Sequence, residues 1–475
     1  MKILKVYSAL ATLDVYALNK LKKYIQSPYF NSDQRLVELY EFYHNDLKSN
    51  GAAGLTEQQL AVVFKDRYDT KLLRRLNSDL TKHLVAFLAQ EELQQDKLLL
   101  NNLKFAGVGK TKNDNLINSQ RRSNLRDLEI FPDVSSEYYY ASYFHEKIEA
   151  TLKTDVDRKK SKSKVDKEIN IDSISYHLDQ FYIIEKLKLY ISLLSWKRSY
   201  KVEKEISHID EIKQILSNLQ GKNEVITAYL TIVKTLEEPE KETYFKILRS
   251  IVKKNKEKFS DDDFRYIYEA LLSYSITAVN KGIDGYIATT LDIYKEALTT
   301  EALLYENEMS ASTFNNVIAM ACRSEDYNWA LRFIEDYQNL LPQNTRQNTV
   351  SFSMARIQFY TKNFHEVISI LSTIEYETVI YNLNSKTMLL FSYYEIGEMD
   401  ALDSLINSFK VYLNRERSIS ATRKKRYNQL LSFVKKISTV NPRDKKRIAK
   451  IKSQLLDTSG VLNKSWLLEK IEELQ

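Results

Sequence analysis

The stretch TFNNVIAMACRSEDYNWALRF, residues 313–333, decides the fold. Phe314, Val317 and Ile318 lie on one face of a helix, Glu325-Asp326-Tyr327 make a tight turn, and Ala330 and Ile334 open a second apolar stripe. Two further turns follow the same plan, Lys362-Asn363-Phe364 and Gly397-Glu398-Met399. Three residues after each turn stands a small or aliphatic residue, Ala330, Val367 and Leu402, at separations of 37 and 35. Each turn follows a run of helical spacing and precedes another. A helix–turn–helix unit therefore repeats near a 34-residue period. No such hairpin buries its apolar face alone, so neighbours are expected to stack into an α-solenoid.

With these residues in view, 261–413 resembles the tetratricopeptide repeat (TPR) family. Phe314, Val317 and Ile318 stand where the family favours a Trp, Leu and Gly pattern. Ala330, Ile334 and Pro342 stand where it favours alanine, an aromatic and proline. A later unit supplies Leu389, Tyr393 and Gly397, a middle one Ala355 and Phe364, and an earlier turn falls at Lys281-Gly282-Ile283. The resemblance implies a groove formed by the first helices of the units, holding a protein or peptide. In it the residues to look to are Asn315, Asn316, Arg323, Arg356 and Tyr393. The run from Thr313 to Phe333 is also similar to one pentatricopeptide unit, a module that reads single-stranded RNA, but such readers need several units in series and one is present.

The rest of the chain agrees with an all-α reading. Among 475 residues glycine occurs 9 times and proline 5 times, too few to punctuate a strand-rich fold or supply the phosphate turns of doubly wound ones. Stripes run through Leu18, Leu21 and Ile25, and through Leu73, Leu76, Leu80, Leu84 and Leu88. Start signals accompany them. Asn31 or Ser32 precedes the helix of Leu36, Leu39, Tyr40 and Tyr43, Thr56 to Gln59 reads as a capping box, and Ser260 leads Asp261, Asp262 and Asp263. Asn441-Pro442 reads as a cap followed by proline at the first helical position. Four regions result: an N-terminal helical module over 1–130, helical hairpins over 135–260 with a basic loop at 153–167, the repeats of 261–413, and basic capping helices over 414–475. Lys, Asn, Ile and Tyr usage in the upstream half is similar to that of helical proteins from AT-rich bacteria.

Charge is concentrated. From Asn414 to Lys452 fourteen Lys and Arg face Glu416 and Asp444, a local net of +12 in a chain of net +7, so all other residues carry −5. Tyr427, Leu430, Leu431, Val434 and Ile437 form an apolar stripe there, as do Ile448, Ile451 and Leu455. These stripes are expected to dock on the last repeat. Arg423, Lys424, Lys425, Arg426, Arg443, Lys445, Lys446 and Arg447 would then form an outward basic face for an acidic partner, a phosphate backbone or an anionic membrane.

Catalytic signatures are missing. Gly107-Val-Gly109-Lys110-Thr111 looks like a P-loop ending, yet the residue five before Gly109 is Lys104 within a helical stripe, so an interhelical turn is expected. His44, His83, His145, His177, His208 and His365 are scattered, and His145 with Glu149 one turn on is not a ligand set. Cys322, the single cysteine, excludes a disulfide framework and fits a reducing, cytoplasmic setting. The first twenty residues read as a helix and not a signal peptide, because Lys5 and Asp14 interrupt the apolar run. The 32 tyrosines, Tyr266, Tyr274, Tyr294, Tyr337 and Tyr393 among them, are expected to pack between helices. The expectation is a non-enzymatic scaffold or adaptor for a protein or peptide, without cofactor or metal. The alternative is nucleic-acid binding through 414–452.

Overall fold

The computed structural model describes residues 4–50, 55–64, 69–131, 135–157, 170–199, 202–218, 223–372 and 378–474. Among the described residues the chain is all-helical, with 80% helix and 23 α-helices. Strand is confined, among the described residues, to the pair Leu304–Tyr305 and Glu308–Met309. Two compact units form, Met1–Glu185 and Lys186–Gln475. The boundary read near 130–135 falls inside the first unit, and those read near 260 and 413 fall inside the second.

In the first unit, α1 (Lys5–Leu10), α2 (Val15–Gln26), α3 (Gln34–Asn50), α4 (Glu57–Val63) and α5 (Thr70–Gln95) share one core. The N-terminal stretch read as one helix is two, because the Asp14 carboxylate accepts the Ala17 N–H at 2.7 Å and starts α2 afresh. The start of α3 differs as well. Asp33 sits before the first turn and accepts the Arg35 N–H at 3.0 Å, whereas the Asn31 amide fastens the loop to the Ile25 carbonyl at 3.0 Å. Along α5, Leu73, Leu76, Leu80 and Leu84 are buried but Leu88 is not. Successive steps of four drift round the helix, and Phe87, three residues after Leu84, takes the core position instead.

α6 (Lys97–Gly109), α7 (Asp114–Ile130) and α8 (Ser136–Asp157) pack a second, smaller core on Leu98, Leu128 and Ala141. Gly107 and Gly109 belong to α6 itself, and the turn comes after them, through Lys112 at φ 56°. A Cβ on Gly109 would stand 2.6 Å from Leu152, so that glycine permits a close approach of α6 and α8. The basic run of residues 158–167 and the Gly51-Ala-Ala-Gly54 loop lie outside the described residues. α9 (Ile171–Ser199) follows.

The second unit contains hairpin after hairpin. After α10 (Ile209–Asn218) come the pairs α11 (Glu224–Glu237) and α12 (Glu242–Lys254), α13 (Asp261–Asn280) and α14 (Tyr286–Leu298), α15 (Ala311–Arg323) and α16 (Tyr327–Tyr337). Then follow α17 (Gln343–Tyr360) and α18 (Phe364–Leu371), α19 (Val379–Ile396) and α20 (Met399–Arg415), α21 (Ala421–Thr439) and α22 (Lys445–Asp457), and α23 (Lys464–Glu473). From α11 on, each helix packs on the next. First helices also pack on first helices, α11 on α13, α15 on α17, α17 on α19 and α21 on α23.

The turns are built alike. Gly282, Glu325, Lys362 and Gly397 all adopt positive φ, between 59° and 80°. In each, the next residue returns its N–H to a carbonyl five positions back. Ile283 reaches Ala278 at 3.1 Å, Asp326 reaches Ala321 at 3.0 Å, Asn363 reaches Gln358 at 2.8 Å and Glu398 reaches Tyr393 at 3.0 Å. These are Schellman closures, which satisfy the orphan carbonyls of the first helix and aim the second back along it. Five residues past the last three positive-φ positions, Ala330, Val367 and Leu402 are each 0% exposed.

The C-terminal stripes dock as one core with α19 and α20. Leu430, Leu431, Val434, Ile437, Ile448, Ile451 and Leu455 join Leu390, Phe391, Leu402, Ile406 and Phe409. The start of α22 is not the Asn441-Pro442 pair. Asn441 folds an Asx turn, accepting the Arg443 N–H at 3.0 Å, and Asp444 caps the helix by accepting the Arg447 N–H at 3.0 Å.

Candidate partner-binding surface

Of the residues singled out for a groove, Asn315 and Arg356 are joined by a hydrogen bond, and Arg323 and Arg356 both act on the Tyr360 hydroxyl. Asn315 is buried on α15. Its amide donates to the Ala311 carbonyl and the Tyr381 hydroxyl, both at 2.9 Å, and its side-chain oxygen accepts from Ser353 at 3.2 Å. The Asn315 backbone carbonyl accepts Arg356 Nη1 at 2.6 Å. Every polar atom of the Asn315 side chain is thereby used between α15, α17 and α19.

Arg356 is half-buried, with its guanidinium carbon 4.9 Å from the centre of the Phe352 ring. Among the described residues it has no carboxylate partner, and burial pulls the guanidinium below its ordinary value. The buried Cys322 lies near enough to feel it. That thiol is pushed up to about 12 by burial, with Arg356 pulling the other way. Burial also raises the Tyr360 hydroxyl against the opposing pull of Arg356 and Arg323. A thiol so held is protonated and unreactive at neutral pH. Asn316 and Arg323 are exposed on α15, and Tyr393 is half-buried against the core of α19.

On the basic face, Arg423, Lys425, Arg426, Arg443, Lys445, Lys446 and Arg447 are exposed and Lys424 is half-buried. Other cations of the segment are engaged, Lys435 with Asp403, Lys436 with Gln454 at 2.8 Å and Lys452 with Glu472 at 3.0 Å. A cavity of about 180 Å³ opens between α19 and α21. Ile380, Leu383 and Asn384 line it from α19, Arg423, Arg426 and Tyr427 from α21, and Leu462 from the loop before α23. The α19 and loop residues of this wall were not singled out from the sequence, since no period or motif links residues 380–384 to Leu462.

A buried polar cluster in the first unit was also missed. Asn102 and Asn124 are each 1% exposed. Asn124 donates to Asn102 at 2.8 Å and meets His145 Nδ1 at 2.9 Å, while Asn102 donates to the Ala141 carbonyl at 2.9 Å. Phe105 stacks on the imidazole and Arg121 pairs with Glu149. The available signal was an asparagine in the Leu98–Phe105 stripe, where a polar group needs a partner.

Among the described residues no group of three or more His, Cys, Asp and Glu is placed to hold a metal ion, and no helix is long and apolar enough to cross a membrane. No family model, curated protein or solved structure matches the chain.

Proposed function

We propose that this chain is a non-enzymatic scaffold, a TPR-like α-solenoid that binds a protein or peptide partner along the first helices of its hairpins. The observation that carries this reading is the turn recurring at Glu325, Lys362 and Gly397, each followed at the same distance by a fully buried residue. Hairpins joined that way bury their apolar faces on the neighbouring hairpin and leave a surface running across several units. On that surface Arg356 supplies a partly desolvated cation whose guanidinium is not neutralised by any described carboxylate. A carboxylate brought by a partner would complete a charge-assisted pair there. The buried, unpaired Cys322 fits a reducing, cytoplasmic setting.

Affinity capture with the full chain tests the reading, with and without nuclease, alongside Arg356→Gln and Arg323→Gln. Capture of the same protein with and without nuclease, weakened by either variant, is the expected result. The exposure of Arg443, Lys445, Lys446 and Arg447 favours the second reading, binding of a phosphate backbone. Partners lost on nuclease treatment would decide for it.

A further inference from the structure

We infer that the cavity between α19 and α21 is an anchoring site for an acidic, aliphatic segment of a protein partner, seating one carboxylate against Arg423 and Arg426 and one aliphatic side chain beneath it. The inference rests on the scaffold reading and adds the place and chemistry of one contact.

The cavity is lined by two arginines, one amide and four largely apolar side chains, and its charge is of one sign. Arg423 and Arg426, one turn apart on α21, both line it, and no carboxylate does. Arg426 is set in place from behind, where its Nε donates to the Gly460 carbonyl at 2.9 Å. That leaves its two terminal nitrogens for a ligand. The Arg423 guanidinium and the Asn384 amide have no hydrogen-bond partner among the described residues. Two guanidiniums beside an amide suit a planar carboxylate, which each arginine can bind through paired N–H groups.

The remaining lining is Ile380, Leu383, Tyr427 and Leu462. Leu383 is buried, Ile380 is 59% exposed at the mouth, and Tyr427 packs its ring on Phe409 at 5.6 Å. This is a floor for a branched aliphatic side chain. At about 180 Å³ the cavity lies below the roughly 300–1,000 Å³ of small-molecule sites. It holds an anchor residue or two. A phosphodiester has nothing to place on such a floor and is better met by the exposed Arg443, Lys445, Lys446 and Arg447. The surroundings match an acidic occupant, since the 414–452 segment carries a net +12. Association with a negatively charged peptide is accelerated by that field.

The test is a fluorescence-anisotropy titration of the full chain. The probes are a labelled peptide of alternating leucine and glutamate, its leucine–glutamine counterpart, and a single-stranded oligonucleotide. The Leu–Glu peptide should bind, with the Leu–Gln peptide weaker by about tenfold or more, the value of one charge-assisted contact. Arg423→Gln should weaken the Leu–Glu peptide by a similar factor at an unchanged melting temperature, because Arg423 is exposed and its side chain is unpaired. A Lys445→Gln and Lys446→Gln double variant, which removes twice the charge elsewhere on the segment, should change affinity by less than about twofold. No binding of the Leu–Glu peptide, an equal loss from the lysine variant, or an oligonucleotide that binds more tightly and is weakened by Arg423→Gln would each overturn the site. The scaffold reading is decided separately by capture and Arg356→Gln, so a failure here leaves that result standing.

Discussion

The Asn315 amide donates to the Tyr381 hydroxyl at 2.9 Å, tying α15 to α19 while Ser353 of α17 donates to the other end of the same side chain. Asn315→Ala removes the hydrogen-bond partner that Ser353 and Tyr381 share. The expected loss of unfolding free energy is about 1–3 kcal/mol. Arg323→Ala, exposed on the same helix, should stay within about 0.5 kcal/mol. Urea melts of both variants check this. An Asn315 variant as stable as the parent would mean that the clip contributes nothing.

Ala330 on α16 is 0% exposed, and the register read from the sequence puts it where α15 and α16 approach each other. Ala330→Arg forces an unpaired cation and a long side chain into that contact, and should cost several kcal/mol. Calorimetry gives the answer. An unchanged melting temperature would show that Ala330 does not occupy the position assigned to it.

This much of the fold was legible because helical stripes and turn chemistry are local. Glu325, Lys362 and Gly397 are separated by about one hairpin, and the residues that follow them carry the register without any knowledge of neighbours. What was not legible depends on pairing between distant segments. Asn315 lies on an exposed-looking register until Tyr381, 66 residues later, is brought against it. Likewise the cavity of Asn384, Arg423 and Leu462 joins three elements whose spacing obeys no period. Asp33 and Asp444 displaced the caps read at Asn31 and Asn441 because each asparagine was better used fastening its own loop.

Lys362 holds φ at 63° and Gly397 at 80° in equivalent turns. A side chain in the left-handed region costs about 1–2 kcal/mol, part of which glycine returns through its larger unfolded-state entropy. Lys362→Gly should therefore raise stability by up to about 1 kcal/mol, and Gly397→Ala should lower it by about 1 kcal/mol. The two substitutions act in opposite directions at one structural position. The same sign for both, in paired urea melts, would refute the equivalence of the turns.

Burial lowers the imidazoles of His44, His145 and His177, all in the first unit. For His145, Glu149 and Glu146 oppose that shift and Arg121 adds to it. For His44, Lys48 and Lys22 add to it and Glu41 opposes. A group whose folded pKa lies below its unfolded value stabilises the fold while neutral. That stabilisation is complete above the ordinary histidine value near 6.5 and is lost as pH falls toward the folded value. Unfolding free energy should fall from pH 7.5 to pH 5.5, and His145→Gln, which has no such proton to take up, should flatten the slope. A pH-independent melt for the parent chain would contradict it.

Lys445, Lys446 and Arg447 occupy the first turn of α22, behind the Asp444 cap. Three cations there oppose the helix dipole, whose N-terminal end is positive and favours carboxylates. Reversing Arg443, Lys445, Lys446 and Arg447 to glutamate should therefore leave the helix intact and raise stability, by about 0.3–1 kcal/mol for each favourable end charge. All four side chains are exposed, so no packing is lost. Binding to a polyanion should move the other way, with elution from heparin shifting to lower salt and the difference shrinking as screening increases. The two readouts separate a charge kept for folding from one kept for a ligand. If the variant were less stable than the parent, the dipole argument would fail. If its heparin elution matched the parent's, these cations would be a solvated surface and the phosphate-backbone reading would lose its support.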